Sequence, residues 1–215
     1  MRDLDETGLR LARTFGHSPA LERSAARFSR IGERGAVWLA IGLSGYVLDR
    51  DRRAEWARAT TTVAGAFALN TAIKLAVRRR RPDLPGLPAL TSTPTGLSFP
   101  SAHTCTSFAG SLSYARLGLP AVPLYALAVG LSASRLYLGV HYPSDVLAGA
   151  LLGHAVAGAR MGMGGSPRCA PATRPAMSWK AIVSGTTLEA RTVSATASSR
   201  SSLTGTMATL GSIVV

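Results

Sequence analysis

The sequence has little acid to set against its base. Asp and Glu total 11 of 215 residues against 24 Lys and Arg, a formal net charge of +13. So few carboxylates leave no Asp/Glu-rich site for magnesium or calcium. Cysteine occurs twice, as Cys105 and Cys169, which makes neither a zinc spacing nor a disulfide framework. Aromatics are only 6%, and no zinc-finger or RNA-binding motif appears, so the basic charge does not point to nucleic acid. Residues 1–30 hold no continuous apolar core behind their first charges and do not read as a signal peptide. The first apolar segment, 35–48, falls short of the roughly 20 residues that a bilayer crossing needs. No internal repeat is visible.

What is present is apolar. Hydrophobic residues make up 47% of the chain, an unusual partner for so much positive charge in a soluble domain. The pairing suggests a membrane surface or an anionic substrate. Residues 1–34 form a basic arm in which Leu9, Leu11, Phe15, Leu21, Phe28 and Ile31 are spread among seven arginines. That pattern fits amphipathic helices on a membrane surface or a solvated helical arm. Residues 35–160 contain apolar segments near 35–48, 54–77, 101–117, 119–134 and 144–160. They are expected to form an all-α, multi-pass transmembrane bundle of about five helices. Residues 161–215 are rich in Ser, Thr, Ala and Gly without period, and read as a disordered tail.

Three stretches carry chemistry. The first is Lys74-Leu75-Ala76-Val77-Arg78-Arg79-Arg80-Arg81-Pro82. Lys74 and Arg81 are seven apart, so on a helix ended by Pro82 they share a face. Four consecutive arginines alone would read as a solvated patch facing lipid headgroups. The second is Pro100-Ser101-Ala102-His103, where Ser101 suits a helix N-cap and the free N–H groups of a helix start suit an anion. The third is Ser134-Arg135-Leu136-Tyr137-Leu138-Gly139-Val140-His141-Tyr142-Pro143-Ser144-Asp145. Its arginine matches phosphate oxygens. Its histidine can act as nucleophile, and the aspartate four residues on can hold the imidazole in one tautomer. A helix is expected to start near Pro143. His154, on the last apolar segment, reads as a packed histidine.

Together these stretches resemble the three-part signature of the phosphatidic acid phosphatase type 2 superfamily, which includes lipid phosphatases, bacterial acid phosphatases and vanadium-dependent haloperoxidases. The resemblance covers roughly residues 35–160. Ala102 departs from the family's usual glycine. The resemblance implies that Lys74, Arg81, Ser101, Ala102 (through its N–H) and Arg135 bind phosphate. It implies that His141 attacks phosphorus, Asp145 orients His141, and His103 protonates the leaving oxygen. The expected protein is a metal-independent, cofactor-free lipid phosphate phosphatase of the cell membrane, with membrane lipids as its surroundings and no nucleic-acid partner. Phosphatidic acid, polyprenyl pyrophosphate and a polyprenyl-phosphosugar phosphate all fit as substrate. A soluble acid phosphatase, a vanadate peroxidase and a non-catalytic binder of anionic lipid are the competing expectations.

Overall fold

The computed structural model describes residues 2–162. It contains seven α-helices: α1 (Arg2–Thr14), α2 (Pro19–Ile31), α3 (Ala36–Leu48), α4 (Arg53–Val77), α5 (Ala102–Ala115), α6 (Ala121–Tyr137) and α7 (Pro143–Gly162). Among the described residues there is no strand, only isolated bridges between Arg80 and Leu97 and between Leu84 and Leu87. The chain is all-α there, as its apolar segments imply. The Ser-rich tail from 163 onward lies outside the described residues.

Helix α5 is the hub, packing against α4, α6 and α7. Its own sequence explains this. Thr104, Cys105, Thr106, Ser107, Ala109, Gly110, Ser111 and Ser113 are all buried, and small side chains let neighbouring backbones come close. The closest approach is to α7. A Cβ at Gly153 would stand 2.2 Å from the Cys105 carbonyl oxygen, and one at Gly149 2.6 Å from that of Ser101. Two glycines four apart therefore form a flat stripe on α7 against which α5 lies. On the other side, Trp38 of α3 donates from Nε1 to Ser107 Oγ at 3.0 Å, and Tyr114 donates to the Trp38 carbonyl at 2.7 Å. Each buried polar tip of the aromatic core thus has a partner, as burial requires.

The two N-terminal helices fold back onto the bundle. Ser18 caps α2, its Oγ accepting from the Leu21 N–H, and Pro19 opens the helix, both ordinary start signals. His17 stacks on Tyr137 of α6 with ring centroids 4.0 Å apart. The buried Arg13 donates to the carbonyls of Tyr137 and Pro88 at 3.2 and 2.8 Å.

Two sequence expectations need correction here. Helix α4 does not run to Pro82. It ends at Val77, where Arg78 adopts a left-handed conformation (φ 54°) and its N–H closes on the Lys74 carbonyl, a left-handed cap that terminates a helix five residues before the proline. Lys74 and Arg81 therefore do not share a helix face. Residues 79–81 instead pair with 96–98, through Ser98 N–H to Arg79 O at 2.8 Å and Arg81 N–H to Gly96 O at 3.1 Å. Helix α6 also runs on to Tyr137, because the first left-handed residue after it is Gly139 (φ 72°). Arg135 is thus a residue of its last turn.

Candidate active site

Chain direction alternates through the bundle. The start of α3, the end of α4, the start of α5, the end of α6 and the start of α7 consequently meet at one end. A cavity of about 170 Å3 opens there, and Lys74, Arg81, Ala102, His103, Arg135 and His141 line it. Residues separated by 67 positions, Lys74 to His141, thus face one small space. Glu33 and Arg34, from the turn between α2 and α3, close it from the side. Arg34 is held there at φ 51°, and the adjoining Gly35 takes a left-handed φ of 76° that favours glycine, with a Cβ there 3.2 Å from Thr106.

The three cations are anchored by oxygens. Lys74 Nζ donates to the carbonyls of Ser98 (2.9 Å) and Leu97 (3.3 Å). Arg81 donates from Nε to the Thr95 carbonyl (2.8 Å) and from Nη1 to the Val140 carbonyl (2.7 Å). Arg135 donates from Nη1 to Ser29 Oγ, while its Nε is buried with no protein partner. A buried guanidinium N–H without an acceptor is costly, and an oxyanion in the cavity would supply one. Burial pushes the Arg81 guanidinium down to about 10, which leaves it charged at neutral pH.

His141 sits between α6 and α7, 2% exposed. Its Nε2 faces the cavity and lies 3.2 Å from Arg81 Nη1. Arginine can only donate, so Nε2 carries the lone pair and the ring proton is on Nδ1. That Nδ1 lies 3.5 Å from Asp145 Oδ2, longer than a good hydrogen bond, and is buried without a closer partner. The Asp145 carboxylate is itself fixed twice: Oδ1 accepts from Arg79 at 2.9 Å and Oδ2 from the Tyr142 N–H at 2.9 Å. His103, in the first turn of α5, contacts the Ser29 carbonyl through Nε2 at 3.2 Å.

Burial drives the pKa of His141 down to about 3, with the Asp145 contact working against that and the charges of Arg81 and Arg135 adding to it. The ring is thus neutral, with its lone pair unprotonated, from neutral pH down to well below the usual 6.5. Histidine-labelled NMR of the protein in detergent is expected to show His141 neutral and unchanged between pH 7 and pH 5. Protonation near pH 6.5 would contradict the burial-dominated account.

Not every residue named from the sequence reaches the cavity. Asp145 stands behind His141. Ser101 is fully buried and off the cavity wall. Its hydroxyl accepts from Thr104 Oγ1 at 3.1 Å, and its N–H donates to the Asp145 carbonyl at 3.0 Å, tying α5 to α7. His154 packs against Phe108 and Tyr125, its Nε2 3.1 Å from the Tyr125 hydroxyl. Conversely, Ser29 and Arg79 were not legible as site residues. Arg79 is no solvated headgroup contact. It pairs with Asp5 (2.8 Å) and Asp145 (2.9 Å), because the left-handed turn at Arg78 swings it back beneath α7. Among the described residues no group of three His, Cys, Asp or Glu is arranged to hold a metal ion.

A second cavity of about 610 Å3 adjoins the first at His103 and Arg135. Ser29, Arg30, Glu33, Arg34 and the hydroxyl-bearing segment Thr91–Thr93 line most of it.

Three comparisons bear on this arrangement. Residues 55–165 match the family model of the PAP2 superfamily. A decaprenylphosphoryl-5-phosphoribose phosphatase of Mycobacterium tuberculosis is 41% identical over 139 residues, covering 64% of this chain and 77% of that protein. One of Mycolicibacterium smegmatis is 40% identical over 135 residues, covering 61% and 72%. Among solved structures, a transmembrane PAP2-type phosphatidylglycerolphosphate phosphatase from Bacillus subtilis superposes with TM-score 0.65 at 23% identity, covering 75% of this chain and 85% of that one. Aquifex aeolicus LpxE gives 0.60 at 22%, covering 74% and 95%.

Proposed function

We propose, on the premise that this chain belongs to the PAP2 superfamily, that it removes a phosphate monoester from a sugar carried on a polyprenyl phosphate. The curated relatives are phosphatases, and this chain is a phosphoric ester hydrolase, a phosphatase of lipid or polyprenyl phosphate. The observation that carries the mechanism is the meeting of Lys74, Arg81, Arg135, His103 and His141 on one cavity of about 170 Å3. Phosphoryl transfer needs charge neutralised on three equatorial oxygens, with nucleophile and leaving group in line. Three fixed cations and the N–H of Ala102 at the start of α5 meet the first need. Two imidazoles meet the second.

The steps follow from the atoms. Phosphate oxygens replace the carbonyls that now hold Lys74 and Arg81, and one satisfies Arg135 Nε. Arg81 leaves Nε2 of His141 for the phosphate, which frees the lone pair. Nε2 attacks phosphorus, the bond from phosphorus to the sugar oxygen breaks, and His103, which enters the step as the imidazolium after taking up a proton with the anionic substrate, gives that oxygen its proton and becomes neutral. The positive charge gained by the His141 ring is stabilised through Nδ1–H by Asp145. Water, deprotonated by His103, then attacks the phosphohistidine, releasing inorganic phosphate and restoring both rings. Ser101 contributes by locking α5 to α7 rather than by touching phosphate. Cationic side chains carry the charge, so turnover should not depend on an added divalent ion.

The adjoining cavity favours the sugar. It opens on the His103 side, where the leaving group departs, and beside the apolar Ala26, Leu90 and Pro94 its lining carries hydroxyl, guanidinium and carboxylate groups. Such a wall suits a polyhydroxylated group better than the acyl glycerol of phosphatidic acid, and Glu33 is an acceptor for hydroxyls beside an otherwise cationic site. The relatives named decaprenylphosphoryl-5-phosphoribose phosphatases agree with that choice.

Membrane embedding is read from the outer surface of the bundle. The stretch Arg50–Val77 is long and apolar enough to cross a bilayer. Leu43, Leu69, Val129, Leu147 and Leu151 point outward from four different helices, which lipid would cover. Helices of 13 to 17 residues such as α3, α5 and α6 would then require local thinning of the bilayer. Residues 35–160 form the membrane domain on this reading.

The test is phosphate release by purified protein in detergent from decaprenylphosphoryl-5-phosphoribose and from dioleoyl phosphatidic acid. A kcat/KM at least about tenfold higher for the sugar substrate is expected, a difference of about 1.4 kcal/mol in transition-state binding. Equal or inverted preference would remove the sugar assignment and leave the phosphatase; release from neither would remove both.

A further inference from the structure

We propose that Asp5 and Arg79 are positioning residues for the reaction, forming with Asp145 a carboxylate–guanidinium–carboxylate chain that presents Asp145 to His141. The inference rests on the reading of His141 as nucleophile and Asp145 as its orienter. Nothing in the three-part signature contains either residue. Arg79 is one of the unspecified positions between Lys74 and Arg81, and Asp5 lies in the N-terminal arm.

The contacts are short and mutually consistent. Arg79 donates from Nη2 to Asp5 Oδ2 at 2.8 Å and from Nη1 to Asp145 Oδ1 at 2.9 Å. Ser144 ties the same groups together: its Oγ donates to Asp5 Oδ2 at 2.6 Å and accepts from Arg79 Nη1 at 2.7 Å, and its N–H donates to Asp5 Oδ1 at 2.9 Å. The Arg79 guanidinium also lies over the Tyr142 ring, 4.1 Å from its centroid. Asp5 is 6% exposed and Asp145 fully buried. Burial works against the Asp5 carboxylate, but the Ser144 and Arg79 hydrogen bonds prevail and hold it below the usual range.

The charge count explains why both carboxylates are needed. Asp145 alone in a buried site would be an expensive anion. Arg79 alone beside it would neutralise it and weaken its hold on the cationic ring that forms during phosphoryl transfer. Adding Asp5 leaves the chain with one net negative charge. The excess negative charge is then available to the His141 ring, while every carboxylate oxygen in the chain keeps a donor. The first helix thereby reaches the reaction centre from 140 positions before Asp145, without touching the cavity.

A double-mutant cycle on the full-length protein tests this, with kcat and KM measured on decaprenylphosphoryl-5-phosphoribose and on dioleoyl phosphatidic acid. Asp5→Asn is expected to lower kcat about tenfold with KM within about twofold. In an Asp145→Asn background it is expected to change kcat by less than about twofold, because an effect exerted through Asp145 has no second route. A merely structural role would give the same loss in both backgrounds, and that additive result would overturn the inference, as would unchanged kcat in Asp5→Asn. Should Asp5→Asn fail to fold, Ser144→Ala removes only the Oγ contacts, and the same non-additivity is required of it. If Asp145→Asn alone leaves turnover intact, or the wild type hydrolyses neither substrate, the underlying reading fails and this inference falls with it.

Discussion

His141→Ala is expected to lower kcat by about 10⁴-fold or more, with substrate affinity kept within a few-fold. His141 is the imidazole whose Nε2 lies beside a cation, 3.2 Å from Arg81 Nη1, and is backed by a carboxylate; Lys74, Arg81 and Arg135 only donate, and the Nε2 of His103 is in contact with the Ser29 carbonyl. Loss of a nucleophile removes the covalent route entirely, and what remains is the rate that bound water achieves in a cationic pocket. Affinity survives because the phosphate contacts come from other residues. Comparison of kcat with the binding constant of a non-hydrolysable phosphonate analogue checks this. Near-normal turnover in His141→Ala would refute the role assignment while leaving family membership untouched.

The second large effect belongs to His103. His103→Ala is expected to slow hydrolysis of an alkyl or sugar phosphate by about 10²- to 10⁴-fold, the range for loss of a positioned general acid. The loss should shrink to about tenfold for an aryl phosphate such as p-nitrophenyl phosphate, whose leaving oxygen departs without a proton. The reason is position. His103 lies in the first turn of α5 and on both cavities at once, so it stands where phosphate and leaving group join. Single-turnover rates of the variant on the two ester types check it. An equal loss on both would make His103 a phosphate ligand instead of an acid.

Much of the site was legible because its motifs sit at helix ends, and helix ends are marked by short-range signals. Pro143 opens α7, which places Asp145 in the first turn behind His141. Ser101 precedes α5 with extended backbone, which puts Ala102 and His103 at its start. The errors came where one residue's backbone state decided the path. Nothing in the string Val77-Arg78-Arg79 signals that Arg78 takes positive φ, a state that non-glycine residues seldom adopt. Lys74 and Arg81 still converge, through the pairing of 79–81 with 96–98 rather than through a helix face. Arg79 was hidden by its neighbours, since four successive arginines look alike until one is seen turning inward. The arm was the hardest part to read. Its apolar spacing indicates helices, but the docking of Asp5, Arg13 and His17 onto α6 and α7 depends on partners more than 70 positions away, which local pattern does not encode. Among the described residues one helical stretch, Arg50–Val77, is long and apolar enough to cross a bilayer; α3, α5 and α6 are shorter, and α7 has the length but dilutes its leucines with glycine and polar residues.

The central claim is a covalent phosphoryl–His141 intermediate. The most direct measurement is rapid denaturing quench at alkaline pH, where phosphohistidine survives, of protein turning over a substrate labelled in the transferred phosphate, followed by peptide mapping. The expected result is label on the peptide containing His141, absent from His141→Ala and lost on acid treatment. Label on another residue, or full turnover with no labelled protein at any quench time, would contradict the account.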